Sequence, residues 1–285
     1  MTDSKEIGAL AISRKGWLRS HQWLLLRRTV QVVILLLFLA GPLTGVWLLK
    51  GSLAGSRFLD LVPLHDPYIQ LQGLVGGHVP TTTVLIGVLL VGGFYLLVGG
   101  RVYCSWVCPV NMITDAAAWL RRRLAIEEGM RLARSTRYWL MGMVLLLSAL
   151  LGMIVWELLN PITMLYRGLL FGMGMAWLIP VAIFFFDLLV AKHGWCGHLC
   201  PVGSFYSLLA LGSPLRVRAN GRQECIKCQD CYAVCPEPQV ISPALNGAEQ
   251  GRGPVILSAN CTNCGRCIDI CAEGVFSFGS RFHNQ

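Results

Sequence analysis

Histidine, acidic residues and charge of either sign are what this 285-residue sequence has least of. Charged residues make up 14% of it and hydrophobic ones 54%, whereas soluble domains carry about a quarter charged. That balance excludes an ordinary soluble domain and reads as a membrane protein. Asp and Glu number 15 against 24 Lys and Arg, a formal charge of +9. A basic inner face against anionic lipid accounts for the excess, so no nucleic-acid partner is expected. None of the six histidines lies within a long apolar run, which excludes a bis-histidine haem inside the bilayer. No cysteine falls in a segment read below as external. In a reducing compartment this excludes a framework of structural disulfides.

What the sequence does have is apolar length. Four runs with few or no charges, 29–49, 79–100, 138–156 and 169–190, can each cross about 30 Å of hydrocarbon as a helix. The first begins too far from Met1, and runs too long, for a cleaved signal peptide. Lys5, Arg14, Lys15, Arg19, Arg27 and Arg28 precede it. Arg101, Arg121, Arg122, Arg123, Arg131, Arg134 and Arg137 lie between the second and third runs. The other two connections hold only Lys50 and Arg57, and only Arg167. Positive-inside bias then predicts a multi-pass protein of the bacterial inner membrane, with both termini and 101–137 in the cytoplasm.

"RVYCSWVCPVN" (101–111) and "HGWCGHLCPVG" (193–203) write C-x-x-x-C-P-V twice, each time just after an even-numbered run. The chain therefore reads as two copies of one unit: a span, an external loop, a returning span and a cysteine pair. The expected fold is an α-helical integral membrane protein with four transmembrane helices in two parallel-repeat hairpins. A small cytoplasmic ferredoxin-like α+β domain follows. The expected divisions are a basic segment 1–28, a membrane domain 29–212 and a ferredoxin-type domain 216–285.

The last division carries the most specific motif. Cys225, Cys228, Cys231 and Cys235 are spaced C-x2-C-x2-C-x3-C-P, and Cys261, Cys264, Cys267 and Cys271 repeat that spacing with Ala272 in place of proline. In such runs three thiolates grip one cubane and the fourth reaches the other cluster. One [4Fe–4S] cluster is thus expected on Cys225, Cys228, Cys231 and Cys271, and a second on Cys235, Cys261, Cys264 and Cys267. Zinc also takes C-x2-C pairs, but as two pairs rather than two runs of four.

Cys104 and Cys108, with Cys196 and Cys200, are less familiar chemistry. Pro109 and Pro201 suit the first position of a new helix, which places Cys108 and Cys200 near N-caps, where a thiolate is favoured. Packing of the two repeats would let the four sulfurs meet as one iron or iron–sulfur site. A redox-active thiol pair in each repeat is an alternative, and so is inert buried cysteine. His198 lies inside the second pair, but Val107 holds the matching place in the first, so an interfacial role suits it better. Asp187, near the end of the fourth run, is an intramembrane acid and a candidate proton acceptor; snorkelling to the interface is its plainer role. Glu157 and Asn160 read as interfacial. His65, Asp66 and His78 in the first external loop are candidates for a quinol pocket, with Asp66, His78 and Asp187 as the catalytic set.

"KGWLRSHQWLLLRR", "RVYCSWVCPVNMITDAAAWLRRR", "HGWCGHLCPVG" and the two ferredoxin runs, in this order, resemble NapH over essentially the whole chain. NapH is the ferredoxin-type membrane component of a quinol dehydrogenase serving periplasmic nitrate reductase. The resemblance implies ubiquinol as substrate, a periplasmic NapG-type iron–sulfur partner, and passage toward the reductase directly or through a NapC-type multihaem cytochrome. NosR shares the layout but adds a large external flavin domain, for which the longest external stretch here is too short. CcoG-type proteins carry a further domain beyond the ferredoxin, while fourteen residues follow Cys271 here. Two functions of different class stand: a redox-active quinol-oxidising subunit, or a membrane anchor or maturation factor of the NosR or CcoG type. Every expected cluster lies at the cytoplasmic face, while the reductase lies outside it.

Overall fold

The computed structural model describes residues 7–126, 129–130, 132–172 and 174–282; Lys5 and Arg131 lie outside these. Two short helices, α1 (Ala9–Lys15) and α2 (Trp17–Ser20), lead into α3 (Gln22–Thr44). Among the described residues, α3 alone is long and apolar enough to cross a membrane. It begins seven residues before the expected run and ends at Gly45. The next segment, expected as a plain loop, folds into an antiparallel sheet of β1 (Leu49–Ser52), β2 (Gly55–Phe58) and β3 (Val62–His65). Leu49 stands opposite Phe58, and Gly55 opposite His65.

Next comes α4 (Pro67–Val75), with Asp66 as its N-cap: Oδ1 accepts from the Tyr68 and Ile69 amides at 2.8 and 3.1 Å. Asp-Pro is a strong helix start, because the carboxylate satisfies orphan donors and proline needs none. α5 (Thr82–Val98) and α6 (Val110–Arg123) follow, separated by the first cysteine pair. The second unit repeats the plan. α7 (Thr136–Leu151) ends at Gly152, whose φ of 63° is left-handed and turns the chain back. Asn160 then caps α8 (Pro161–Phe171), accepting from the Ile162 amide at 3.1 Å. α8 ends in turn at left-handed Gly172 (φ 62°). The runs expected at 138–156 and 169–190 are therefore interrupted: the first stops at Leu151, and the second divides between α8 and α9 (Leu178–Phe185), which a π-helical turn extends to Val190. α10 (Pro201–Leu209) closes the unit.

The start of α4 is buried against α10. Asp66 accepts from the Tyr206 hydroxyl of α10 at 3.0 Å, while the far end of α4 leads to His78, whose Nε2 bonds the Gly152 carbonyl at 3.0 Å. α4 thus runs from the Tyr206 hydroxyl of α10 to the C-terminal end of α7. Buried Tyr68, Tyr95, Tyr103, Trp156, Ile162, Val202 and Tyr206 form the core that the two units share.

The C-terminal part has its own core of Val217, Ile241, Ile256, Val275 and Phe276. It pairs β4 (Leu215–Arg218) with β5 (Ser277–Ser280) antiparallel, around α11 (Asp230–Val234), α12 (Ser242–Leu245) and α13 (Arg266–Ile270). It is tied to the N-terminus from outside the helix it caps. Asp269 of α13 accepts from the Trp23 and Leu24 amides at 3.1 and 2.9 Å. Those are orphan donors of the first turn of α3.

Candidate metal centres

The repeated cysteine motif is a π-turn. The Cys108 amide donates to the Tyr103 carbonyl at 3.0 Å, and the Cys200 amide to the Trp195 carbonyl at 2.9 Å, each five residues back. Both turns end with the second cysteine extended (ψ 120° and 113°), and a new helix starts at once. Pro201 is the first residue of α10, as its position predicts, whereas Pro109 stands one residue before α6. π-turns are rare and concentrate at functional sites. Cys104, Cys108, Cys196 and Cys200 line a single small cavity, closed by Pro161 and Ile162 from the tip of α8 and by Trp156 from the turn before it. Burial and the neighbouring thiols push Cys200 up to about 12 and raise Cys108 and Cys196 as well. Four crowded thiols of this kind ionise together only beside a cation.

Polar groups on other elements hold the two turns. Gln31, fully buried in α3, donates to the Ser105 and Cys108 carbonyls, both at 3.2 Å. Arg101 donates to the Cys196 carbonyl (3.2 Å) and Arg137 to the Gly197 carbonyl (3.1 Å). The same guanidinium groups reach Glu237 at 2.8 and 3.1 Å, and Arg134 pairs with its other oxygen. Glu237 follows the first ferredoxin run, so this buried network fastens that domain over the π-turns. The Ser105 hydroxyl donates to the Thr262 carbonyl (2.8 Å) and Trp106 Nε1 to the Asn263 carbonyl (3.1 Å).

The eight C-terminal cysteines fall into two groups. Cys225, Cys228, Cys231 and Cys271 line one cavity of about 770 Å³. Burial raises the Cys267 thiol well above its ordinary value, and the nearby charges of Cys264, Cys261 and Cys235 raise it further. Each run turns the same way, with left-handed residues on either side of its second cysteine: Lys227 and Gln229 in one, Asn263 and Gly265 in the other. Such turns point successive amides inward, a cradle for an anion. Burial lifts Cys231 to about 12 and Cys261 to about 11. Against burial, Arg266 and Arg27 draw Cys264 below its ordinary value. Arg27 is fully buried, and its nitrogens have no hydrogen-bond partner among the described residues. A fixed cation beside thiolates, lacking a donor's partner, fits an anionic cluster at this place.

The three candidates for a catalytic set do not meet. His78 is exposed beside Gly152. Asp187 is buried in the π-turn Phe186–Val190, where Oδ1 accepts from the Trp195 amide at 2.9 Å and so braces the second cysteine turn. Asp66 lies under the tyrosines, and burial lifts its carboxyl to about 6. His65 is beside it, and His198 sits within the second π-turn, half-buried. Asn160 Nδ2 donates to Glu157 Oε2 at 3.1 Å, and Asn160 is buried. No local motif marks Gln31, the Arg101–Arg137–Glu237 network or the tyrosines. One signal was present: Asp66-Pro67 and Asn160-Pro161 precede the first cysteine of their motifs by 38 and 36 residues.

A family model described as a 4Fe-4S binding domain matches residues 80–127 and again 173–219, and a 4Fe-4S dicluster domain matches 224–275. The chain is 46% identical over 280 residues to the ferredoxin-type protein NapH of Escherichia coli, covering 98% of this chain and 96% of the relative. It is 49% identical over 273 residues to the methylamine utilization ferredoxin-type protein MauN of Methylorubrum extorquens, covering 96% and 94%. A putative electron transport protein YccM of Escherichia coli is 25% identical over 70% of this chain and 56% of the relative. No solved structure matches.

Proposed function

The chain belongs to the ferredoxin-type family of NapH and MauN, and from that premise we propose that it is the electron-transfer subunit of a membrane quinol dehydrogenase. Cys225, Cys228, Cys231 and Cys271 hold one [4Fe–4S] cluster, and Cys235, Cys261, Cys264 and Cys267 a second. Cys104, Cys108, Cys196 and Cys200 hold a further iron–sulfur centre between the repeats, consistent with the double match of the 4Fe-4S binding domain there. Each centre, when bound, takes up and gives back one electron at a time. The observation that carries this reading is the direct bonding of Ser105 and Trp106 to the Thr262–Asn263 loop. It joins the first π-turn to a ferredoxin cysteine loop with no intervening layer.

In this reading α3, α5, α7 and α9 with its π-turn cross the bacterial inner membrane, and both termini are cytoplasmic. The half-helices α4 and α8 are buried between them, where irregular backbone is tolerated at membrane depth. Because the residues read as external re-enter as far as Tyr206, the cysteine quartet is approached from both sides of the membrane domain. That supplies part of the route the sequence alone left unbridged. The outward partner is a periplasmic NapG-type iron–sulfur protein, with a NapC-type cytochrome as a further acceptor, and the substrate is ubiquinol. A second reading keeps this core and changes the acceptor: MauN relatives, at 49% identity, are as similar as NapH, and their name assigns them to methylamine utilization.

The test uses purified full-length protein in detergent, kept anaerobic. A ubiquinol analogue should bleach its iron–sulfur absorbance within seconds. Bleaching by dithionite but not by quinol would sink the dehydrogenase reading and favour an anchor or assembly factor.

A further inference from the structure

We propose that the cavity between α3, β3 and α5 is the binding site for the quinol head group, with His65, Asp66 and Tyr206 at its polar end. The proposal rests on the quinol reading above and adds where the substrate sits. The cavity measures about 410 Å³, within the range of small-molecule sites. Its walls are almost wholly apolar, from Phe38 of α3, Leu64 of β3 and Val91 of α5. Leu90 and Phe94, also in its lining, are 49% and 55% exposed. If α5 spans the membrane they face lipid, so the cavity opens where an isoprenoid tail would leave it.

Its inner end is different. Asp66 and Tyr206 are buried there and hydrogen-bonded to one another at 3.0 Å. His65 Nδ1 is buried and has no partner among the described residues. Buried polar atoms are almost always paired, so this nitrogen fits a ligand oxygen. The imidazole has been given room by two glycines. A Cβ on Gly55 would stand 2.9 Å from its Nδ1, and one on Gly87 2.8 Å from its Cδ2. The two glycines thus seat the imidazole at the head of an apolar cleft that neither of them lines.

The position also suits the chemistry. Tyr103 lines both this cavity and the cysteine cavity, and it stacks on Tyr206 with centroids 4.6 Å apart. One aromatic layer therefore separates the polar end from Cys104 and Cys108. His78 and Asp187 lie elsewhere and play no part in this site.

An azido-ubiquinone analogue, photolysed with the full-length protein in nanodiscs and mapped by mass spectrometry, tests the assignment. Label is expected on peptides containing Phe38, Val91 and Phe94, displaced by excess unlabelled short-chain ubiquinone. Val91→Trp fills the cavity and should reduce that label at least tenfold with iron content unchanged. Gly87→Ala, a smaller change that displaces the imidazole, should also reduce it. Displaceable label on any other segment overturns this site and leaves the quinol reading standing. Label in the cavity that ubiquinone fails to displace marks a lipid cleft and overturns the site. No label anywhere overturns both.

Discussion

Asp115 faces three guanidinium groups. Arg266 Nη2 lies 2.5 and 2.6 Å from its two oxygens, Arg28 pairs with one of them, and Arg27 Nη1 stands 3.8 Å away. Burial alone would raise the carboxyl, but Arg266 and Arg28 hold it at about 2, below its ordinary 3.8. A depressed carboxyl contributes stability above its unfolded value and loses it as pH falls through the folded one. The melting temperature of wild-type protein should therefore drop between about pH 4 and pH 2, and Asp115→Asn should flatten that window. Removing one partner of a buried ion pair costs about 3–5 kcal/mol, so the variant should also melt lower at neutral pH. Arg27 makes a second prediction. Its charge sits beside Cys264, so Arg27→Gln should make the adjacent cluster harder to reduce. A redox titration followed by EPR would show one of the ferredoxin potentials shifted negative and the other unmoved. Equal shifts in both would contradict the placement.

At the scale of elements, the two halves of the chain meet in one cavity, since Cys104 and Cys108 come from the first π-turn and Cys196 and Cys200 from the second. Ligands of one site fail together, so their losses are non-additive. Cys104→Ser and Cys196→Ser should each abolish quinol-linked electron flow, and the double variant should be no worse. Ferredoxin EPR signals should survive in all three. A single variant that keeps most of its activity would reduce the motif to a structural turn. The cysteine spacings were legible in the sequence because each run is local: two or three residues fix the turn between sulfurs. The inward fold of 49–75 was not. Its strands are four residues long, and Asp66-Pro67 looks like any surface helix start until Tyr206, 140 residues away, bonds the cap. Helix ends were misjudged for a related reason. Gly152 and Gly172 stop their helices in the left-handed region, and an averaged apolar run does not register one glycine.

For the molecule as a whole, charge had been read as a marker of membrane orientation. Yet Arg27, Arg101, Arg121 and Arg137 are all buried, and Arg101 and Arg137 are committed to Glu237. Fewer arginines are thus left to face lipid than the sequence count implied. Val79 is 87% exposed and Leu124 57%, so both accept insertions better than the buried stretch around Tyr68. A reporter placed after Val79 should be active only when exported, and one after Leu124 only when cytoplasmic; the opposite pattern would invert the protein. The cover over the cysteine quartet has a consequence for biogenesis. The pocket needs residues from both halves, and the Thr262–Asn263 loop that bonds Ser105 and Trp106 of its first π-turn leaves the ribosome after all of them. A nascent chain therefore passes through an interval in which the quartet is complete and the ferredoxin-type domain has yet to bond its first turn, and the proposed centre would be loaded in that interval. Chains truncated after Gly212 should have Cys104 alkylated faster than full-length apoprotein, in which that cysteine is partly buried.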